Sequence, residues 1–125
     1  MIQFWVAGVP KAQPRPRMTR KGHVYNPPTA DDWKERIMWR ARETRIPKMD
    51  GAVKVTLAFA MGGKDTVNGK PHASKPDADN LAKSTVDALT MVGAFVDDCQ
   101  VFDLRVIKRY GNPAGVLVTL EESNV

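Results

Sequence analysis

The chain of 125 residues carries a formal net charge of +5, a sequence pI of about 9.6 and one cysteine. A chain of this length forms one domain with its own core, so we expect residues 1–125 to be a single domain. One cysteine excludes an intrachain disulfide, and we expect neither a signal peptide nor a bilayer-spanning segment, which favours a cytoplasmic protein with no membrane partner.

The first part of the chain predicts a strand at 2–7, a loop at 8–27 and a helix at about 30–45. Prolines at high density exclude a helix from the loop. Thr29 suits the N-cap of the helix that follows, and Pro47 ends that helix. The loop is strongly basic, because residues 1–28 contain five lysines and arginines and no acidic residue: Lys11, Arg15, Arg17, Arg20 and Lys21. We call residues 11–21 the basic arm.

The rest of the chain predicts a strand, a helix and two further strands. Period-two alternation over residues 53–59 makes the first of these the clearest strand in the sequence. The predicted ranges are a strand at 52–61, a loop at 62–76, a helix at about 79–90, a strand at 101–110, a turn at 111–115 and a strand at 116–120. We expect the last two strands to pair as a hairpin. The predicted fold class is α+β, a small mixed sheet with helices packed against it, in the order strand-helix-strand-helix-strand-strand.

Aspartates cluster in the segment that contains the second helix and the strand after it. Asp77 and Asp79 stand at the helix start, and Lys83 shares a helix face with Asp79 because four residues separate them. Asp97 and Asp98 precede the next strand, and a loop can return them to Asp79. Carboxylates from different elements suit Mg2+, which activates water for phosphodiester cleavage, and a nearby lysine relieves charge on the phosphate.

Each feature also has a structural explanation. An Asp-x-Asp pair at a helix start often provides an N-cap and an acid that suits the helix dipole. Asp79 and Lys83 could form a solvated ion pair of little energetic value, and Asp97-Asp98 could form a turn. Spacing alone therefore leaves both interpretations open, and the co-occurrence of the acidic cluster with a basic arm favours catalysis.

A resemblance to a known family strengthens that interpretation. The runs that carry it are Pro76-Asp77-x-Asp79-Asn80-Leu81-x-Lys83, Asp87-Ala88-Leu89 and Asp97-Asp98-x-Gln100-Val101. Together they resemble the RusA-type Holliday-junction resolvases. The stretch from Gly8 to Pro27, with Arg15-Pro16-Arg17, is similar to the basic loop of that family. The likeness extends over most of the chain.

The resemblance implies a homodimeric, Mg2+-dependent endonuclease that nicks four-way DNA junctions symmetrically in recombination and repair. It implies catalytic and metal-binding roles for Asp77, Asp79 and one of the later pair, with Asp98 favoured over Asp97 by spacing, and a catalytic role for Lys83. Asp87 fits a structural partner of Lys83 at least as well as a metal ligand. We expect the basic-arm residues Lys11, Arg15, Arg17, Arg20 and Lys21 to bind DNA phosphates.

Two other functions remain open. A catalytically inactive branched-DNA-binding protein would need no carboxylates where a phosphate must lie, so the acidic cluster argues against it. A metal-dependent hydrolase of small phosphate compounds would not use a long basic arm, and the sequence has no GxxxxGK phosphate loop.

Overall fold

The computed structural model describes residues 1–14, 16–25 and 28–123. Its regular elements are β1 (Ile2–Ala7), β2 (Arg17–Met18), β3 (Val24–Tyr25), α1 (Asp31–Thr44), β4 (Val53–Gly62), α2 (Ala78–Met91), β5 (Val101–Arg109) and β6 (Gly111–Glu122). Within the described residues, no helix has the length and apolar character that crossing a membrane requires.

The main sheet has four strands in the order β1-β6-β4-β5. β6 is antiparallel to both of its neighbours, whereas β4 and β5 run parallel. Alternate residues of the central strands point to one face, where they form the core with the buried sides of both helices. Helix α1 packs against β1 and α2, and α2 packs against β5. The predicted α+β class, with a mixed sheet and packed helices, is confirmed.

The predicted hairpin between the last two strands is wrong. β5 and β6 follow each other in the chain, but β4 lies between them in the sheet. The chain passes the end of β4 through Tyr110, and Gly62 pairs with Gly111. At Gly63, where φ is +98°, a Cβ would lie 2.8 Å from Tyr110 Cδ1, so glycine permits this close passage.

The predicted turn at 111–115 lies inside β6. The pairing with β4 shifts register between Ala60 and Gly62, opposite the stretch that contains Asn112 and Pro113. Proline is tolerated at such an irregularity, because there a strand can forgo a ladder hydrogen bond. The glycine and proline therefore mark a bulge rather than a reversal of the chain.

Two local details differ from the sequence prediction. The N-cap of α1 is Ala30 rather than Thr29, and the Asp32 carboxylate accepts a 3.0 Å hydrogen bond from the Trp33 N–H. The basic loop contains a short hairpin, β2–β3, which we call the basic hairpin. Its turn is held by Thr19, whose hydroxyl oxygen accepts the His23 N–H at 3.1 Å. Helix α2 begins close to its predicted start, with Asp77 at the N-cap.

Candidate active site

Helix α2 presents two different faces. One face is buried in the core and includes Leu81, Thr85 and Leu89. The Thr85 hydroxyl accepts the indole N–H of Trp33 at 3.4 Å, which ties α2 to α1. The opposite face places Asp79, Lys83 and Asp87 at intervals of four residues, so their side chains lie in one row along the helix.

This row borders an open groove between α2 and β5. The groove has a volume of about 560 Å³ and is lined by Ala78, Asp79, Ala82, Lys83, Val86, Asp87, Asp98, Val101, Leu104 and Val106. Its lining therefore combines an apolar surface from both elements with four charged side chains. Of the four residues predicted to be catalytic, the structure brings three together here: Asp79, Lys83 and Asp98.

Asp97 and Asp98 lie in a short 3-10 turn that leads into β5. The Asp97 carboxylate caps this turn by accepting the Cys99 N–H at 3.0 Å. Gln100 completes the cap, because its side-chain oxygen accepts the N–H groups of Val96 and Asp97 at 2.8 and 3.1 Å. The Asp97 carboxylate is therefore used to cap the turn, whereas Asp98 lines the groove.

Gln100 also fastens this turn to the rest of the molecule. Its side-chain nitrogen donates to the carbonyl oxygens of Met49 and Gly51 at 2.9 and 3.0 Å. The position of Asp98 therefore depends on the side-chain amide of Gln100, whose oxygen and nitrogen are both hydrogen-bonded. The sequence motif contains Gln100, but its spacing alone did not indicate this structural role.

The two neighbouring carboxylates have opposite pKa shifts. The Cys99 backbone N–H, followed by a hydrogen bond with Asp98, lowers the pKa of Asp97. A hydrogen bond shared with Asp97, together with partial desolvation and the charges of Asp97 and Asp87, raises the pKa of Asp98, while Lys83 acts in the other direction. Asp98 is therefore the member of the pair that holds a proton more readily.

Asp77 lies apart from the groove. It borders a separate surface depression together with Ala12, Lys75, Pro76 and Asn80. In the described ranges, no three His, Cys, Asp or Glu side chains are grouped so that they could hold a metal ion. The joint placement of Asp77, Asp79 and Asp98 around one metal therefore remains a prediction.

Asp87 is paired with a residue that the sequence motif did not include. Its carboxylate lies 3.9 Å from the ammonium of Lys34 on α1, and both side chains are largely shielded from solvent. Among the ion pairs of the described residues, none joins Lys83 to Asp79 or to Asp87. The charge of Lys83 is thus available at the groove. The Lys34–Asp87 contact depends on how α1 packs on α2, which sequence spacing does not reveal.

The predicted DNA-binding residues fall into two groups. Arg17, Arg20 and Lys21 are exposed on or beside the basic hairpin, whereas Lys11 donates to both carboxylate oxygens of Asp32 at 3.0 and 2.8 Å. That hydrogen bond lowers the pKa of Asp32 and offsets part of the Lys11 charge. Arg15 lies outside the described residues.

The start of the basic arm, residues 11–13, is attached directly to α2. The Ser84 hydroxyl donates to the Lys11 carbonyl oxygen at 2.6 Å, and the Gln13 N–H donates to the Asn80 carbonyl oxygen at 2.9 Å. Ser84 is fully buried, so this anchor is part of the packed interior. The segment that leads to the basic hairpin is therefore held against the helix that carries Asp79 and Lys83.

Comparisons with known proteins give one family match and several relatives. A family model described as "Endodeoxyribonuclease RusA" matches residues 7–121. The chain is 26% identical over 89 residues to "Crossover junction endodeoxyribonuclease RusA" of Aquifex aeolicus, an alignment that covers 70% of this chain and 64% of the relative. It is 50% identical over 38 residues to the protein of the same name from Escherichia coli K12, covering 30% and 32% of the two chains.

A third relative matches over nearly its whole length. The chain is 31% identical over 137 aligned positions to "Uncharacterized protein YqaN" of Bacillus subtilis, covering 97% of this chain and 96% of the relative. The chain thus spans less than two thirds of the two crossover junction endodeoxyribonucleases named above and almost all of an uncharacterised protein.

Proposed function

Since the chain belongs to the RusA family of endodeoxyribonucleases, we propose that it is a Mg2+-dependent endonuclease that resolves four-way (Holliday) DNA junctions by paired nicks in recombination and repair. The observation that carries the proposal is the groove in which Asp79, Lys83 and Asp98 meet. A Mg2+-dependent nuclease needs carboxylates to hold the metal ion and benefits from a cation near the phosphate, and this groove is lined by both kinds of side chain.

The proposed metal ligands are Asp77, Asp79 and Asp98. Their donor atoms are all carboxylate oxygens, the chemistry that Mg2+ prefers. Asp79 and Asp98 line the open groove, where a bound ion could keep several of its waters, and Asp77 would have to turn toward them from the separate depression that it borders. When bound, Mg2+ lowers the pKa of a coordinated water and offsets negative charge on the phosphate. The chain's own part is to hold the carboxylates at the helix start and at the turn before β5.

Lys83 has the role of an electrostatic catalyst in this proposal. It lies one helical turn from Asp79, and no ion pair in the described part of the chain neutralises it. A cation in this position stabilises the charge that develops on the phosphate oxygens during cleavage. Asp87 would serve as a structural residue, because Lys34 already balances its charge.

DNA binding is assigned to the basic arm, through Lys11, Arg15, Arg17, Arg20 and Lys21. Arg17, Arg20 and Lys21 are exposed on or beside the basic hairpin, and exposed cations suit contacts to the phosphate backbone, which hold DNA without reading its sequence. Paired nicks on one junction require two active sites, so we propose a homodimer in which residues 1–125 of each protomer form one endonuclease domain.

The test uses a labelled four-way junction and a duplex of matched sequence, each incubated with Mg2+ and with EDTA. The proposal expects two symmetric nicks in the junction that require Mg2+, and little or no cleavage of the duplex. Equal cleavage of both substrates would exclude junction selectivity. The oligomeric state of the protein and of its complex, measured by analytical ultracentrifugation, tests the dimer.

A catalytically inactive branched-DNA-binding protein is the second candidate. The observation that favours it is that Asp77 borders a depression separate from the groove that Asp79 and Asp98 line. This candidate expects tight junction binding with no cleavage at any Mg2+ concentration. The same experiment therefore separates the two functions.

A further inference from the structure

The segment from Gly69 to Pro76, which we call the lead-in loop, precedes α2 and is docked on the end of β5. Three backbone hydrogen bonds join them: Gly69 N–H to Tyr110 O at 2.8 Å, Tyr110 N–H to Lys70 O at 2.9 Å, and His72 N–H to Lys108 O at 3.0 Å. The rings of His72 and Tyr110 also pack with their centroids 4.7 Å apart. The first half of the loop therefore continues the edge of the sheet.

The second half of the loop leaves the sheet edge and is held by one side chain. The Lys108 ammonium donates to the Ser74 carbonyl oxygen at 2.5 Å and to the Pro76 carbonyl oxygen at 2.7 Å. The Pro76 carbonyl belongs to the peptide group whose nitrogen is that of Asp77. Lys108 thus binds the backbone directly before the first acidic residue of the motif.

The placement of Lys108 is unusual for a lysine on an edge strand. Edge lysines commonly project into solvent, where they discourage pairing with other chains. Lys108 instead pairs in register with the buried Phe59 and continues the row of Leu104 and Val106, which line the groove. The half-buried Lys108 side chain therefore lies on the helix-covered face, and its ammonium reaches the backbone just before α2.

Helix electrostatics does not account for this arrangement, because a cation near a helix N-terminus opposes the helix dipole. The compensation comes from charge-assisted hydrogen bonds to two carbonyls, which are stronger than neutral ones. Binding two carbonyl oxygens two residues apart restrains the path of the chain between them. The direct consequence is a defined position for the backbone at Asp77 and at the first turn of α2.

We propose that Lys108 is a positioning residue that holds the lead-in loop so that Asp77 and Asp79 are oriented for metal binding. The metal-binding part of this inference rests on the function proposed above. Lys108 acts through the backbone, since its ammonium donates to the carbonyl oxygens of Ser74 and Pro76. Residues that orient metal ligands typically change metal affinity or activity by about 10–100-fold when they are replaced.

The test compares Lys108→Met, the milder Lys108→Gln and the charge-preserving Lys108→Arg with the wild type. Lys54→Met is the matched control, because Lys54 is an exposed sheet lysine whose nearest partner is Asp103 at 4.0 Å. The first measurement is amide hydrogen exchange at Leu81 in the metal-free protein, since its N–H donates the first helical bond to the Asp77 carbonyl oxygen at 3.1 Å. The second is the Mg2+ concentration that gives half-maximal junction cleavage, together with junction affinity in EDTA.

We expect Lys108→Met to raise the half-saturating Mg2+ concentration by about 10-fold or more, to accelerate exchange at Leu81, and to leave junction affinity unchanged. Lys108→Gln should raise the half-saturating Mg2+ concentration and accelerate Leu81 exchange by smaller amounts. This milder variant tests the proposal if the Met variant does not fold. Lys108→Arg should recover most of the loss, because it keeps the charge and several donors. A loss of stability without a change in Mg2+ dependence, or equal effects of Lys54→Met, would overturn the proposal.

The two proposals fail in different ways. A wild-type protein that never cleaves a junction refutes the proposed function, and Leu81 exchange still reports whether Lys108 holds the start of α2. Unchanged exchange in Lys108→Met refutes the positioning role even if the wild type is an active nuclease.

Discussion

Asp97 and Asp98 are adjacent in the chain, yet the Asp97 carboxylate accepts the Cys99 N–H at 3.0 Å whereas the Asp98 carboxylate lines the groove. A capping carboxylate can be replaced by asparagine, because the amide oxygen accepts the same hydrogen bond. Asp97→Asn should therefore keep most of the cleavage rate, while Asp98→Asn should lose several orders of magnitude, about the effect of removing a metal ligand. Single-turnover cleavage of a four-way junction measures both, and a more damaging Asp97→Asn would reverse the assignment.

The same pair predicts a specific dependence on pH. The pKa of Asp98 is raised above 3.8, first by its hydrogen bond with Asp97, so ionisation of Asp98 destabilises the fold as the pH rises from 3.8 through the raised pKa. Asp97→Asn removes the neighbouring charge and should lower the pKa of Asp98, which removes that loss of stability. Carbon-13 NMR titration of the metal-free protein reports the Asp98 midpoint. A midpoint that is unchanged or higher in Asp97→Asn would contradict the prediction.

Replacing Asp79 and replacing Lys83 are each predicted to slow cleavage, for different reasons. Asp79→Asn removes a proposed ligand, so cleavage should fall by several orders of magnitude while junction binding survives or tightens, because a negative charge near the phosphate is gone. Lys83→Ala should raise the activation free energy of cleavage by on the order of 3 kcal/mol, as for other electrostatic catalytic groups, and so lower the rate. Added Mg2+ should not rescue Lys83→Ala. If both variants lost only thermal stability and kept their rates, both residues would be structural rather than catalytic.

The basic hairpin is predicted to contribute to binding rather than chemistry. Replacing Arg17, Arg20 or Lys21 by alanine should weaken binding to junctions of any sequence and flatten the dependence on salt, because each phosphate that is no longer neutralised reduces the slope by roughly 0.9. Fluorescence anisotropy at several salt concentrations measures this slope. Glu35→Gln on the exposed side of α1 is a suitable comparison. An unchanged slope in all three variants would mean that the hairpin is only a solubilising surface.

Gly115 is predicted to be important for stability, because a Cβ at this position would overlap the Val6 carbonyl oxygen and the Trp5 ring. Gly115→Ala should therefore lower the free energy of unfolding by roughly 1–3 kcal/mol, the usual range for overpacking. At Gly51, by contrast, the nearest atoms to a Cβ lie at 3.7 Å or more. Gly51→Ala should be nearly neutral. Urea denaturation of both variants gives the comparison.

The sequence predicts the helices and strands of this fold better than it predicts which strands pair in the sheet. Alternation over 53–59 and the row of Leu81, Thr85 and Leu89 are local patterns, and both elements occur where they were expected. The pairing of β4 with β5 and β6 is not local, so a turn signal at Asn112-Pro113 led to the wrong hairpin.

The candidate active site shows the same difference between local patterns and contacts that are distant in sequence. The carboxylates and Lys83 form a recognisable motif, and spacing predicts that Asp79 and Lys83 share one helix face. Lys34 and Lys108 reach the acidic segment from α1 and β5, and only the packed structure brings them there. Neither has a sequence signal, because a lysine on a helix or an edge strand usually faces solvent.

The sheet order also constrains how the chain folds as it is synthesised. β1 is hydrogen-bonded along its length to residues 115–120 of β6, and β4 uses β6 on one side as well. Residues 2–7 therefore have no sheet partner until more than a hundred further residues have been made. Contacts this distant in sequence slow folding. In a nascent chain, β5 can pair with β4 and form the wall of the groove beside α2 before β6 has been made, but the four-stranded sheet is complete only after β6 has joined β4 and β1.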